Sequence, residues 1–359
     1  MRIHSKIKDY SVEFCSHVLA RNMSLIEEIP HARTFYFIDQ KVFNIYRNKF
    51  KTFINDNARI IIPATEAQKS YLRLAVYYRK LIKKGFTRND LLVTFGGGIL
   101  QDISGFIAST LYRGIKWIFI PTTLLAQADS CIGSKTSINF DGSKNLIGTF
   151  YPPDCIFIDE SFCNTLTPEY FNSGLGEIIK FHLMSNVRRY LLLKKYLSCQ
   201  HLIRNKYFKD IIASTLNIKY SYFKGDEFDA GRRNLLNYGH CFGHALESAS
   251  NFKLSHGEAV IVGMGFANLV SLQRGIMSKN KYDEFEQIFK KYYPRFDIHN
   301  IRVKDIVFFL KRDKKRSGKD LTMILSKDIG KQMKYDDISE KEIKEVYYEF
   351  QQNYQADIA

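Results

Sequence analysis

Short runs of β-branched and aromatic residues take turns with amphipathic stretches through the first 160 residues. Residues 33–39 (RTFYFID), 58–64 (ARIIIPA), 90–98 (DLLVTFGGG), 116–123 (KWIFIPTT) and 155–160 (CIFIDE) each read as a buried strand ending in a polar or glycine turn. Residues 66–85 between them carry a helical pattern. Strand and helix in alternation predict a mostly parallel sheet with helices on both faces. In such sheets ligands bind beyond the carboxyl ends of the strands. From residue 161 the pattern changes to long periodic segments rich in Leu, Ile, Tyr, Lys and Glu, which predict a largely α-helical second domain. Pro152, Pro153 and Pro168 punctuate the change. The expected organisation is therefore an α/β domain over residues 1–160 and an α-helical domain over residues 161–359, with no internal repeat and no low-complexity linker.

A length of 359 residues agrees with two cores. The formal net charge of +16 is unusual and fits nucleic acid, an anionic membrane surface or an anionic small substrate. Many of the cations fall in residues 188–224 and 279–344, mixed with aromatic and acidic residues, which reads mostly as solvated helix faces. No helix-turn-helix, zinc-finger or aromatic-basic RNA-binding signature accompanies them, so neither a nucleic-acid nor a membrane partner is expected. Six scattered cysteines without a CxxC pair, no signal-peptide-like start and no apolar run of membrane length point to a reduced, cytoplasmic setting.

Candidate chemistry gathers in a few stretches. GGGILQDISGF places three glycines after a strand and before a helix expected to start near Asp102. Glycine permits close backbone approach and a helix N-terminus presents free N–H groups, so a pyrophosphate fits there; a tight structural turn explains the same residues. Asp102 is placed to accept hydrogen bonds from ribose hydroxyls, and Thr122 and Thr123 end the next strand on the same edge. The segment AQADSCIGSKTSINFDGSKNLIGTFYPP holds Asp129, Lys135, Lys144 and Asn145 and reads as a loop closing over a phosphorylated or carboxylated ligand. GLGEIIK brings Glu177, NYGHCFGHALES brings His240 and His244, and LSHGEAV brings His256. One carboxylate and two imidazoles with an open fourth position make the ligand set of a catalytic metal site. His240 and His244 share a helix face at i, i+4, and Glu177 and Lys180 project together at i, i+3. In a three-ligand site one histidine remains for proton transfer or substrate contact, and the residues alone leave open which one.

The series GGGILQD, YRGIKWIFIPTTLLAQADS, GSKT, GSKNLIGTFYPP, GLGEIIK, RNLLNYGHCFGHALE and SHGEAV resembles, in order from about residue 63 to about residue 330, 3-dehydroquinate synthase and its sugar-phosphate cyclase relatives. The resemblance implies an α/β N-terminal Rossmann-like NAD-binding domain, a mostly α-helical C-terminal metal-binding domain, and a homodimer. It implies that Glu177, His240 and His256 bind zinc, or cobalt in its place. NAD is then held by Asp39, Glu66, Lys69, Gly96, Gly97, Gly98, Asp102, Thr122, Thr123, Lys135, Lys144 and Thr165. Asp129, Asn145, Lys180 and His244 become the catalytic set, and Lys135, Lys144, Lys219, Arg233 and Asn237 join Asn145 and His244 as substrate contacts. Arg113 is implied to reach across the dimer interface, and one of Lys314 and Lys315 to touch substrate. The implied substrate is anionic, 3-deoxy-D-arabino-heptulosonate 7-phosphate. NAD would oxidise its C5 hydroxyl, phosphate would leave by elimination, and reduction, ring opening and an aldol closure would follow with no net redox change.

Within the superfamily, relatives acting on sedoheptulose 7-phosphate or glucose 6-phosphate alter the lysine and arginine that grip the carboxylate. Here both positions are filled, by Lys219 and Arg233. Three positions depart from the family pattern: Gln101 and Ser134 stand where glycine is usual, and Gly176 where alanine is. Gln101 and Ser134 are expected to place side chains where backbone approaches NAD or the substrate phosphate. A related cyclase acting on a modified ulosonate or another sugar phosphate is the alternative, and a scaffold or nucleic-acid-binding protein rests on the charge alone.

Overall fold

The computed structural model describes residues 1–19, 26–27, 29–141, 143–251, 253–312 and 321–355. They form two compact units, Met1–Leu166 with Phe223–Glu227, and Thr167–Tyr222 with Phe228–Ala359. Lys314 and Lys315 lie outside the described residues.

The first unit is built on a seven-stranded sheet. Its elements are β1 (Arg2–Ile3), β2 (Tyr10–Phe14), β3 (Thr34–Asp39), α1 (Gln40–Ile45), α2 (Arg47–Lys51), β4 (Arg59–Ile62), α3 (Tyr71–Lys83), β5 (Leu91–Gly96), α4 (Gly98–Thr110), β6 (Lys116–Pro121), β7 (Lys135–Phe140), β8 (Ser143–Phe150) and β9 (Cys155–Ile158). The order across the sheet is β1-β2-β9-β6-β5-β3-β4. Only the β1–β2 pair is antiparallel. All six positions of β5 are buried, which is why it reads as an unbroken apolar run rather than an alternating one. Ile38, Val93, Phe95, Ile118, Ile120 and Phe157 from four neighbouring strands share one core cluster.

Two parts of this unit differ from the sequence pattern. β1 and β2 were not foreseen, because β2 buries only Tyr10 and Val12 and its alternation is too short to stand out from polar neighbours. The polar segment expected as a loop is instead the hairpin of β7 and β8, which pair antiparallel. Thr136 and Ile138 alternate inward on β7, a strand signal masked by the glycines and lysines around it.

The second unit contains α5 (Pro168–Leu183), α6 (Val187–Leu197), α7 (Phe208–Phe223), α8 (His240–Ala249), α9 (His256–Gln273), α10 (Lys279–Phe289), α11 (Val303–Lys311) and α12 (Glu340–Gln355). A two-stranded hairpin, β10 (Leu321–Ser326) and β11 (Gln332–Ile338), completes it. α9 is buried nearly all round and forms the centre of the unit. No helix among the described residues is long and apolar enough to cross a membrane, and no disulfide links the six cysteines.

His182, on α5, is fully buried; its Nδ1 donates to the Ile178 carbonyl at 2.9 Å and its Nε2 accepts from Ser214 Oγ at 3.1 Å. Burial pushes its pKa from 6.5 down to about 4. Between those values the unfolded chain takes up a proton that the folded chain does not hold, so stability falls with falling pH across that window. The loss is on the order of 3 kcal/mol for this group. Urea denaturation of His182→Leu from pH 7 to pH 4 is expected to show a shallower pH slope than wild type, by about one proton taken up on unfolding.

Candidate active site

β3 pairs with β4 on one side and β5 on the other, although the chain runs β3, β4, β5. The winding therefore reverses between β3 and β5, the place in an open parallel sheet where a crevice forms at the strand ends. Asp39 and Gly96 are the last residues of those strands. α4 starts at Gly98, ahead of the expected Asp102, because glycine is tolerated at a helix N-terminus even though it weakens a helix interior. A Cβ on Gly97 would lie 3.0 Å from Thr123 Cγ2 and 3.2 Å from Thr123 Oγ1, so glycine is what lets the turn rest on that threonine. Thr122 donates its N–H to the Gly96 carbonyl at 2.9 Å. Its hydroxyl is buried and has no hydrogen-bond partner among the described residues, an orphan beside the turn that a bound nucleotide would satisfy. Asp39 accepts from Lys41 N at 2.8 Å and caps α1, and burial raises its pKa.

A single polar network ties the neighbouring candidates together. Lys69 Nζ lies 2.5 Å from Asp102 Oδ2 and donates to Asn145 Oδ1 at 2.6 Å. Ser137 donates through its N–H and Oγ to the Asp102 carboxylate, at 2.9 and 3.1 Å, and its Oγ also lies 2.9 Å from Asn145 Oδ1. Asn139 donates to Glu66 Oε1 at 2.7 Å and accepts from Asn145 N at 2.9 Å. Glu66, Lys69, Asp102 and Asn145 are thus held as one group. Burial raises the Asp102 pKa, and Lys69 opposes that rise. Ser137 and Asn139 escaped the sequence reading because their role depends on the hairpin; inward alternation on β7 was the signal available.

Asp129 sits in a single π-helical turn, Ala126–Ser130. Gln101 pins that turn: its Nε2 donates to the Ser130 carbonyl at 2.6 Å and its Oε1 accepts from Ser130 Oγ at 2.7 Å. Ser134 donates to the buried Glu227 at 2.7 Å. Both side chains that stand where glycine is usual are therefore engaged inside the unit. Lys135 and Lys144 are exposed on the β7–β8 hairpin, Thr165 is exposed with its Oγ1 donating to the Phe162 carbonyl at 3.0 Å, and Arg113 is exposed on the turn after α4.

In the second unit, Glu177 has no solvent exposure. Its Oε2 is 2.5 Å from Lys180 Nζ, and its Oε1 is 3.2 Å from Nε2 of both His240 and His256. The opposite ring nitrogens face acceptors: His240 Nδ1 is 3.2 Å from the Tyr238 carbonyl and His256 Nδ1 is 3.4 Å from Glu247 Oε2. With a proton on each Nδ1, two Nε2 lone pairs would point at a carboxylate oxygen, an arrangement that demands positive charge at their meeting point. Burial opposes a charge on His256, yet Glu177 and Glu247 outweigh it and raise its pKa to about 10. Burial likewise opposes ionisation of Glu177, and Lys180 with His240 holds it well below the usual carboxylate range. A divalent cation meets the same demand with two units of charge, so these residues fit a metal. His244 joins His240 and His256 in a trio whose ligand atoms lie within 4.8 Å of one another, and it is the exposed member. Lys219 on α7 and Arg233 in the 3₁₀ turn Arg232–Asn237 are both buried cations, and Asn237 donates to the Asn234 carbonyl at 2.7 Å. Glu247 was missed by the sequence reading, although it lies two helical turns from His240 on α8.

One unit carries a crevice-forming sheet with a glycine turn and the other a buried carboxylate facing imidazoles, equipment suited to a nucleotide- and metal-dependent enzyme. Residues 59–173 match the family described as 3-dehydroquinate synthase N-terminal, and residues 174–316 match 3-dehydroquinate synthase C-terminal. A 3-dehydroquinate synthase of Streptococcus pyogenes is 33% identical over 338 residues, covering 92% of this chain and 93% of the relative. That of Dictyoglomus thermophilum is 34% identical over 348 residues, with 96% of each chain covered. A solved 2-epi-5-epi-valiolone synthase from Streptomyces hygroscopicus, with NAD+ and Zn2+ bound, shares the fold at a TM-score of 0.85 and 23% identity, over 98% of this chain and all of that one (100%). The chain belongs to the 3-dehydroquinate synthase family.

Gly176 adjoins the buried glutamate, and a Cβ there would fall 2.3 Å from the Gly257 carbonyl oxygen. α5 and α9 approach backbone to backbone at that point. Gly176→Ala is expected to force the helices apart and cost about 1–3 kcal/mol in urea denaturation, with weaker metal retention in a chelator competition.

Proposed function

We propose that the chain converts 3-deoxy-D-arabino-heptulosonate 7-phosphate to 3-dehydroquinate and phosphate, with zinc or cobalt held by Glu177, His240 and His256. The observation that carries the metal assignment is the convergence of two Nε2 atoms on Glu177 Oε1 at 3.2 Å. When bound, NAD supplies a reversible hydride acceptor and the metal a Lewis acid for the substrate hydroxyl. The residues of the chain supply position and charge. Tyr238 and Glu247 hold the two imidazoles with Nε2 turned toward Glu177. Lys180 is fixed by Glu177 and carries a positive charge into the buried site. His244, the exposed imidazole, is left to contact substrate and move a proton. Lys219 and Arg233 are assigned to the substrate carboxylate, because a buried lysine and arginine suit a carboxylate better than a hydroxyl, and Asn237 to a neighbouring substrate oxygen.

In the α/β unit, Asp39, Glu66, Lys69, the Gly96, Gly97 and Gly98 turn, Asp102, Thr122, Thr123 and Thr165 are assigned to NAD. Asp129 and Asn145 orient substrate oxygens, and Lys135 and Lys144 provide charge for phosphate. Gln101, engaged with Ser130, and Ser134, engaged with Glu227, are assigned no ligand contact. Arg113 is assigned to the site of a second subunit in a homodimer.

Purified protein with NAD and zinc or cobalt is expected to release inorganic phosphate from the carboxylated heptulosonate phosphate and not from sedoheptulose 7-phosphate. Release equal to that of Glu177→Ala would overturn the reading, and preference for the uncarboxylated sugar would move it to a related cyclase. Glu247→Gln is expected to weaken metal binding by roughly 10–100-fold while the apo protein keeps its fold, as read by titration with a metal indicator. Unchanged affinity would remove Glu247 from the metal centre.

A further inference from the structure

α6 and α7 border a half-open cavity of about 640 Å³ whose walls include Arg188, Arg189, Lys195, Tyr207 and Ser214. No acidic residue lines it. Among the described residues none of the three cations meets a carboxylate, whereas the adjoining Lys194 has Glu284 at 4.0 Å. Two of them stand in the first turn of α6, which contains no acidic residue. Cations there oppose the helix dipole as well as each other. Asn186 caps the helix by accepting from Arg189 N at 3.1 Å, and the N–H groups ahead of it keep no intrahelical acceptor. Burial depresses the pKa of Arg189, with no neighbouring acid to restore it. Ser214 is committed as a donor to His182 at 3.1 Å. The side-chain donors left to a ligand include the two guanidinium groups, the Lys195 ammonium and the Tyr207 hydroxyl.

We propose that this cavity is an anion-binding site, separate from the metal centre, for a phosphate-bearing small molecule. Three cations gathered without a counter-charge around a concave space destabilise the empty protein, and a doubly charged phosphate relieves that repulsion. The guanidinium fork supplies the paired donors a phosphate accepts. A small anion fits better than a nucleic-acid duplex, because the charges converge on a cavity and the neighbouring Lys194 is already paired. The site also gives a use to part of the basic stretch over residues 188–224 that the cyclase chemistry does not employ.

Thermal denaturation of the NAD- and zinc-loaded protein in inorganic phosphate, against chloride at matched ionic strength, tests the site. Wild type should show a phosphate-specific rise in Tm. Arg189→Gln and Lys195→Gln should each weaken the apparent phosphate affinity by at least about tenfold, whereas Lys144→Gln, at the phosphate position assigned in the α/β unit, should retain this component. Arg189→Gln should also melt higher than wild type in the absence of phosphate. Lys195 is exposed, so its variant keeps the test valid should Arg189→Gln misfold. Loss of the rise in Lys144→Gln alone, an equal rise in chloride, or tight salt-dependent duplex binding abolished by Lys195→Gln would overturn the proposal.

Discussion

A carboxylate with no access to solvent must have its charge answered within the protein, since burying an unpaired ion costs several kcal/mol. Glu177 meets that condition through Lys180 on its own helix and two imidazoles on two others. The rest of the helical unit follows from holding those groups together. α9 is buried nearly all round, and its start is held by Glu258, whose Oε2 accepts from Ser255 N at 3.0 Å. α5 comes close enough to it only because Gly176 and Gly257 put no side chain in the way. His240 and His256 are the first residues of α8 and α9, so the positive helix ends favour an ionised glutamate, while Glu177 and Glu247 draw positive charge onto His256. A divalent cation would take the place of that positive charge.

The α/β unit solves a different problem, that of presenting backbone and short polar side chains at one sheet edge. The reversal of winding between β3 and β5 leaves Asp39, Gly96 and the start of α4 around one crevice. The hairpin of β7 and β8 then supplies Ser137, Asn139 and Asn145, which lock Glu66, Lys69 and Asp102 into one geometry before any ligand arrives. Preorganisation of this kind lowers the ordering cost of binding. The same unit takes up the two departures from the family pattern by giving Gln101 and Ser134 internal partners.

The large positive charge is spread unevenly in function. Arg274 is matched by Glu342 at 2.5 Å and Asp337 at 2.8 Å, and Lys281 by Glu284 at 2.7 Å. Such pairs on the surface contribute little to stability. Among the described residues Arg188, Arg189 and Lys195, which face the cavity, have no such match, and the proposed anion site would answer their charge.

Much of the architecture and the chemistry was legible in the sequence. Five strands and the change to helices could be read because apolar periodicity is a local property, and the chemically distinctive Glu177, His240 and His256 could be singled out by their spacing before the fold brought them together. The family follows from the order of motifs, which also depends on sequence alone. Tertiary structure decided the rest. It turned an apparent loop into a hairpin, moved the start of α4 to Gly98, and brought Glu247 to His256, whose interaction spans separate helices. It also decided what Gln101, Ser134 and Gly176 do, since a side chain's partner is set by residues distant in sequence. Composition gave the charge its size, but only packing determined which cations found carboxylates and which were left around a cavity, because pairing depends on distance in space.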